Sequence, residues 1–161
     1  MRLFLPIAFA MLTLAGAACS QATPAPAAAV ATLAKHPISG LDVVPLTVSQ
    51  NGKSHAFRVE VARTFEQQQK GLMFRTAMGP DEGMLFPSDT AEPRSFWMKN
   101  TVIPLDIVFI GPDHLISNIA ANAVPYSEAP IPSEGPAIAV LELNGGRAAQ
   151  LGIMPGARVS W

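Results

Sequence analysis

Proline and glycine cut this chain into short pieces. Residues 41–161 hold 11 of its 15 prolines and 10 of its 12 glycines. Proline removes a backbone donor and glycine costs about 1 kcal/mol in a helix interior. Long helices are therefore excluded from this region, and short strands joined by turns are favoured. Residues 43–49 are β-branched and alternating, and Asn51-Gly52 after them is a strong hairpin signal. Residues 57–61 (FRVEV) alternate apolar and charged, as a half-buried strand does. Thr64 with Gln67 three residues on forms a capping box. It predicts a helix over residues 65–73, weakened in its last turn by Gly71.

Further strands are predicted at 84–86, stopped by Pro87, and at 94–100 (RSFWMKN). Residues 105–110 are apolar except for Asp106. Gly111-Pro112-Asp113 turns the chain, and residues 115–120 pair back as a hairpin. Residues 126–136 read as a proline-rich loop, 137–143 as a strand, 147–151 as one helical turn, and 158–161 as a terminal strand. The expected fold is α+β and mostly β: a small closed β-barrel-like domain of short strands with one main helix, over residues 41–161.

The first forty residues are of another kind. Arg2 precedes an uncharged apolar run over residues 3–18. That run is too short for a spanning helix and fits a secretory signal peptide, residues 1–18. Gly16-Ala17-Ala18 then meets Cys19, the only cysteine. Small residues before a cysteine match a lipobox, with Gly16 standing where that motif prefers Leu. The alternative is ordinary cleavage with Cys19 discarded or left free. An acylated Cys19 makes the membrane a partner, since acyl chains stabilise attachment by about 0.8 kcal/mol per buried CH₂. Residues 19–40 are an Ala/Pro-rich tether. The chain is thus expected to be exported, to the periplasm or outer membrane as a lipoprotein, or otherwise secreted. Its formal net charge is −1, which lacks the basic surplus of a nucleic-acid binder. One cysteine closes no intramolecular disulfide and builds no multi-Cys zinc site.

Five strings fall in order: GLMFR at 71–75, DEGMLF at 81–86, FWMKNTVIPLDIVFI at 96–110, VLELNGG at 140–146 and GIMPG at 152–156. Together they closely resemble the bacterial and archaeal family called domain of unknown function 192. The resemblance covers essentially all of residues 41–161, and the central FWMKNT…PLD string is its most specific part. It implies a compact β-barrel-like α+β domain, and no activity.

The central string is the first place to look for a site. On a strand, Trp97 and Lys99 share one face and Met98 and Asn100 the other. An indole beside an ammonium makes a cation–π or sugar-stacking surface. Asn100 also suits turn chemistry. Asp106, at the edge of an apolar strand, needs a partner or several N–H donors. Arg75 and Lys99 are the candidate partners. Otherwise Asp106, Glu142 and Asn144 line a pocket for a polar ligand.

Met73, Met78, Met84 and Met98 raise Cu(I) handling through thioethers, but without compact spacing and each beside Leu, Phe or Trp they read as core. His36, His55 and His114 are scattered and form no zinc motif. No nucleophile elbow appears, and residues 41–161 contain no cysteine. The expected function is therefore a non-catalytic envelope binding or accessory module without cofactor or metal. Its ligand, a small polar molecule or an envelope protein, would engage Arg75, Trp97, Lys99, Asn100, Asp106, Glu142 and Asn144. The alternative is a hydrolase-type enzyme using Asp106 and Glu142 with Lys99, and a weaker one is Cu(I) handling through the methionine thioethers.

Overall fold

A computed structural model describes residues 34–161. The signal segment, Cys19 and the tether up to residue 33 lie outside the described residues. Eight strands form one sheet: β1 (Ala34–Lys35), β2 (Asp42–Gln50), β3 (Lys53–Val61), β4 (Glu82–Phe96), β5 (Leu105–Ile110), β6 (Ile116–Ala123), β7 (Ile131–Asn144) and β8 (Arg158–Ser160). Their order is β1-β2-β3-β4-β7-β5-β6, with β8 beside β2. Asn51 and Gly52 both take positive φ and turn β2 into β3, the geometry an Asn-Gly hairpin requires. All pairs are antiparallel except β3 with β4. A parallel pair needs a crossover, and helix α1 (Phe65–Lys70) lies on the connection between them.

The fold is α+β and mostly β, with two short helices rather than one main one: α1, and α2 (Arg147–Leu151). The continuous ladder is open rather than closed into a barrel. Its far strand, β6, pairs along its length with β5 alone. An isolated bridge between Leu115 and Arg158, with backbone hydrogen bonds linking His114 and Ile116 to residues 156–159, joins the start of that strand to the segment entering β8 without extending the ladder. The helix predicted to reach residue 73 stops at Lys70, because Gly71 takes a positive φ of 46° and packs against Phe86. The strand predicted at 94–100 ends at Phe96. The supposed loop 126–136 gives its last six residues to β7.

Side-chain alternation sorts the core onto two faces. Val59, Val108, Leu141 and Leu143 pack with Ala148 of α2 on one face. Leu72, Met84, Phe86, Met98, Ile107 and Phe109 pack on the other. Every residue of β5 is buried because β6 and β7 flank it and both faces are covered, which is why its sequence is a continuous apolar run. Met84 and Met98 are core side chains, 1% and 0% exposed, filling space among Leu and Phe.

Candidate functional site

The second face opens into a cleft of about 730 Å³ between α1, the end of β4 and the loop after it. No residue of α1 is buried, so apolar packing does not hold this wall. The capping box predicted at Thr64 and Gln67 is present. Gln68 then fastens the helix to the sheet: its Nε2 donates to the carbonyls of Ala62 (3.1 Å) and Pro87 (2.8 Å). The remaining Gln68 atom, Oε1, accepts a hydrogen bond from Arg94 Nη2 at 3.2 Å. Arg94 also lies over the Phe96 ring, 5.9 Å from its centroid.

Phe96 turns inward, meeting Phe86 edge-on at 5.1 Å and Phe109 at 6.2 Å. The strand ends there, and Trp97 and Lys99 sit in the following loop. They still meet: Lys99 Nζ lies 5.1 Å from the Trp97 ring centroid. Trp97 is 48% exposed. Asn100 takes a left-handed φ of 55°, which Asn tolerates better than most residues. Its carbonyl accepts from the N–H of Phe74 at 2.9 Å, and its Nδ2 lies 3.8 Å from Met73 Sδ. This turn chemistry places Asn100 on the cleft wall beside Thr101.

Glu142 also lines the cleft. It stands on β7 opposite Met84 and Ile107 and is 5% exposed. Among the described residues no hydrogen bond or ion pair reaches its carboxyl. Burial alone pushes its pKa from 4.5 to about 8, since removal from water disfavours the charged form. At neutral pH the group is therefore mostly a protonated acid, able to donate and to accept.

Asp106 is elsewhere, and the expected pairing with Arg75 or Lys99 is not formed. It faces Leu143 on β7, whereas Glu142 faces Ile107. Neighbouring positions on a strand point to opposite faces, so Asp106 and Glu142 lie on opposite sides of the sheet and form no carboxylate pair. Asp106 is fully buried and accepts three backbone N–H groups: Asn122 and Gly146 at 2.9 Å on Oδ1, and Ala148 at 2.8 Å on Oδ2. Helix α2 has no side-chain cap of its own, so Asp106 supplies that acceptor from β5 and seats α2 on the sheet. Asn144 is likewise committed. Its Nδ2 donates to the carbonyls of Met78 and Gly79.

Arg75 pairs with Glu60 instead. The guanidinium meets both carboxylate oxygens, at 2.9 and 3.1 Å, and both side chains are buried. Ser39 Oγ also donates to Glu60, and His36 Nδ1 lies 3.5 Å from it. Arg75→Ala should cost about 3 kcal/mol in a urea titration. A stranded buried carboxylate costs roughly 3–5 kcal/mol, and Ser39 keeps the loss at the lower end. A loss under about 1 kcal/mol would show the pair to be dispensable.

Of the seven residues singled out from sequence, the cleft collects Trp97, Lys99, Asn100 and Glu142, and leaves out Arg75, Asp106 and Asn144. Sequence reasoning missed Arg94, Gln68 and Phe65 on its walls. Phe65, directly after the N-cap and 72% exposed, carried a usable signal: an apolar residue at the first turn of a helix that buries nothing.

No curated protein matches this chain. Solved structures resemble it, two of them as follows. A protein of unknown function from Novosphingobium aromaticivorans DSM 12444 is 55% identical, with TM-score 0.79, over 87% of this chain and all of that one. A protein from Sinorhizobium meliloti 1021, described as a "putative transcription regulator", is 43% identical, with TM-score 0.73, over 74% of this chain and 94% of that one. The model of the DUF192 family, described as "Uncharacterized ACR", matches residues 46–161. With the FWMKNT…PLD string forming the cleft wall and the start of β5, the chain belongs to the domain of unknown function 192 family.

Proposed function

We propose that this protein is a non-catalytic binding module of the bacterial envelope that takes a small ligand in the cleft between α1 and β4. One observation carries the reading: Glu142 is buried, faces the cleft and has no partner among the described residues. Its carboxyl borders open cleft space rather than sealed core, so a ligand in the cleft can supply the hydrogen bonds that the fold does not. Asp106, saturated by three N–H groups on the other face, is not free to act as the second carboxyl group of a hydrolase. The net charge of −1 favours a small molecule over DNA, despite the description of the Sinorhizobium relative.

Titrating the ¹⁵N-labelled chain with a fragment panel of cationic, anionic and neutral members tests this. Fragments should shift the amides of Trp97, Thr101 and Glu142. Glu142→Leu should abolish those shifts while raising thermal stability, because an apolar side chain suits a position 5% exposed better than a carboxyl does. Shifts confined to other regions would reject the reading. So would turnover of ester or glycoside substrates that disappears in the same variant.

The envelope location rests on residues 1–18 and Cys19. Expressed with its leader, the wild-type chain should partition with membranes. Cys19→Ser should move it to the soluble exported fraction, and unchanged partition would exclude acylation at Cys19.

A further inference from the structure

The ligand reading leaves the chemistry of the ligand open, and the charges around the cleft narrow it. Arg94, Lys99 and Lys70 all line it. Among the described residues none of them has a carboxylate within ion-pair distance, whereas Arg75 and Arg147 each have one. Neither Arg94 nor Lys99 is loose. Arg94 is fixed by the carbonyl of a neutral Gln68 and lies over Phe96. Lys99 is fixed over Trp97. An aromatic face orients a cation without neutralising it, and a guanidinium has five N–H donors, of which the Gln68 bond takes one. Gln68 is itself immobilised by the carbonyls of Ala62 and Pro87.

The acids in the cleft offset these three charges only in part. Glu66 is a single carboxylate, accepting from Thr64 Oγ1 at 2.9 Å at the helix start, and Glu142 is buried and unpartnered. The apolar lining is aromatic and exposed: Phe65 and Trp97 are 72% and 48% accessible. We propose that the cleft accepts a small organic anion, its charged head on Arg94 and Lys99 and its apolar body against Phe65 and Trp97. This rests on the ligand reading above and names the chemistry of the ligand. A planar fork favours carboxylate or phosphate, which it can meet with two parallel bonds, and the Glu142 carboxyl adds a hydrogen-bond donor.

Calorimetry on the folded chain with matched probes tests this: 4-phenylbutyrate, phenyl phosphate, 4-phenylbutanol and 4-phenylbutylamine. At least one anion should bind one-to-one about tenfold more tightly than the alcohol, as one charge-assisted hydrogen bond of about 1.4 kcal/mol implies. The amine should not bind at the cleft. The relative heats of the two anions decide between carboxylate and phosphate. Raising the salt should weaken the anions alone. Arg94→Gln should remove the preference for the anion, and Arg94→Lys, which keeps charge but loses the fork, should remove part of it. Thermal melts would confirm that both variants fold. Equal binding of alcohol and anion, or an unchanged preference in Arg94→Gln, would overturn the anion assignment while cleft binding itself stands. If no probe of any charge binds, the anion assignment fails, and a silent fragment panel would take the ligand reading with it.

Discussion

Asp106→Ala should unfold most of the domain's stability margin, with a loss of about 4 kcal/mol or more in urea denaturation followed by circular dichroism. The carboxylate is fully buried and takes three backbone N–H groups at 2.8–2.9 Å, that of Ala148 buried and those of Asn122 and Gly146 partly so. Each buried donor left without an acceptor costs roughly 1–3 kcal/mol, and a typical domain has only 5–15 kcal/mol to lose. Asp106→Asn should be milder. Its carbonyl can keep the bonds from Asn122 and Gly146, but its amide would face the N–H of Ala148 donor to donor. A loss of about 2 kcal/mol is expected there. A loss below about 1 kcal/mol for Asp106→Ala would mean that α2 stays on the sheet without the carboxylate.

The stability of the wild type should fall as pH rises from about 5 to 8, and Glu142 should account for most of that fall. Its folded pKa is about 8 against 4.5 for the free group. Between these values the folded state holds a proton that the unfolded state has released, so unfolding releases protons and stability drops with increasing pH. The full benefit of the neutral acid is present below pH 4.5, and the loss levels off above about 8. Each pH unit inside the window is worth up to about 1.4 kcal/mol, giving a difference of roughly 3–4 kcal/mol between pH 5 and 8. Glu142→Gln should flatten the curve by that amount. Parallel curves for wild type and variant would show that water reaches the carboxyl and that the cleft floor is wet.

Much of the fold was legible because it is encoded locally. The capping box at Thr64 and Gln67, the Asn51-Gly52 hairpin and the apolar run of β5 all appear where they were read. The RSFWMKN stretch misled because its alternation continues past the point where the backbone leaves the sheet. Asn100 takes a left-handed φ there, and no period-two pattern registers that. Glu60 misled in another way. A half-buried strand puts its charged positions in water, yet Glu60 is 3% exposed because Arg75, Ser39 and His36 converge on it from other segments. Those contacts span 15 to 24 residues of sequence, counting from Arg75 and His36 to Glu60, and a linear reading assigns no partner across such gaps. The same limit hid Arg94, whose role depends on Gln68, 26 residues earlier. Trp97, Lys99 and Asn100 were found because they lie in one short string, and Glu142 because an acid within a strand otherwise apolar stands out.

The fastening of residues 34–42 sets how the domain would respond to mechanical tension. A chain held by its N-terminal end transmits traction to Ala34. The first bonds to feel it are the two residue pairs of β1 with β2 and the 2.8 Å contact of Lys35 with Asp42. Beyond them, His36 and Ser39 carry the load onto Glu60, which is braced by Arg75. Tension on that end would therefore peel a short hook from the rim of the sheet and expose a charged hinge well before the long β4–β7 ladder begins to shear.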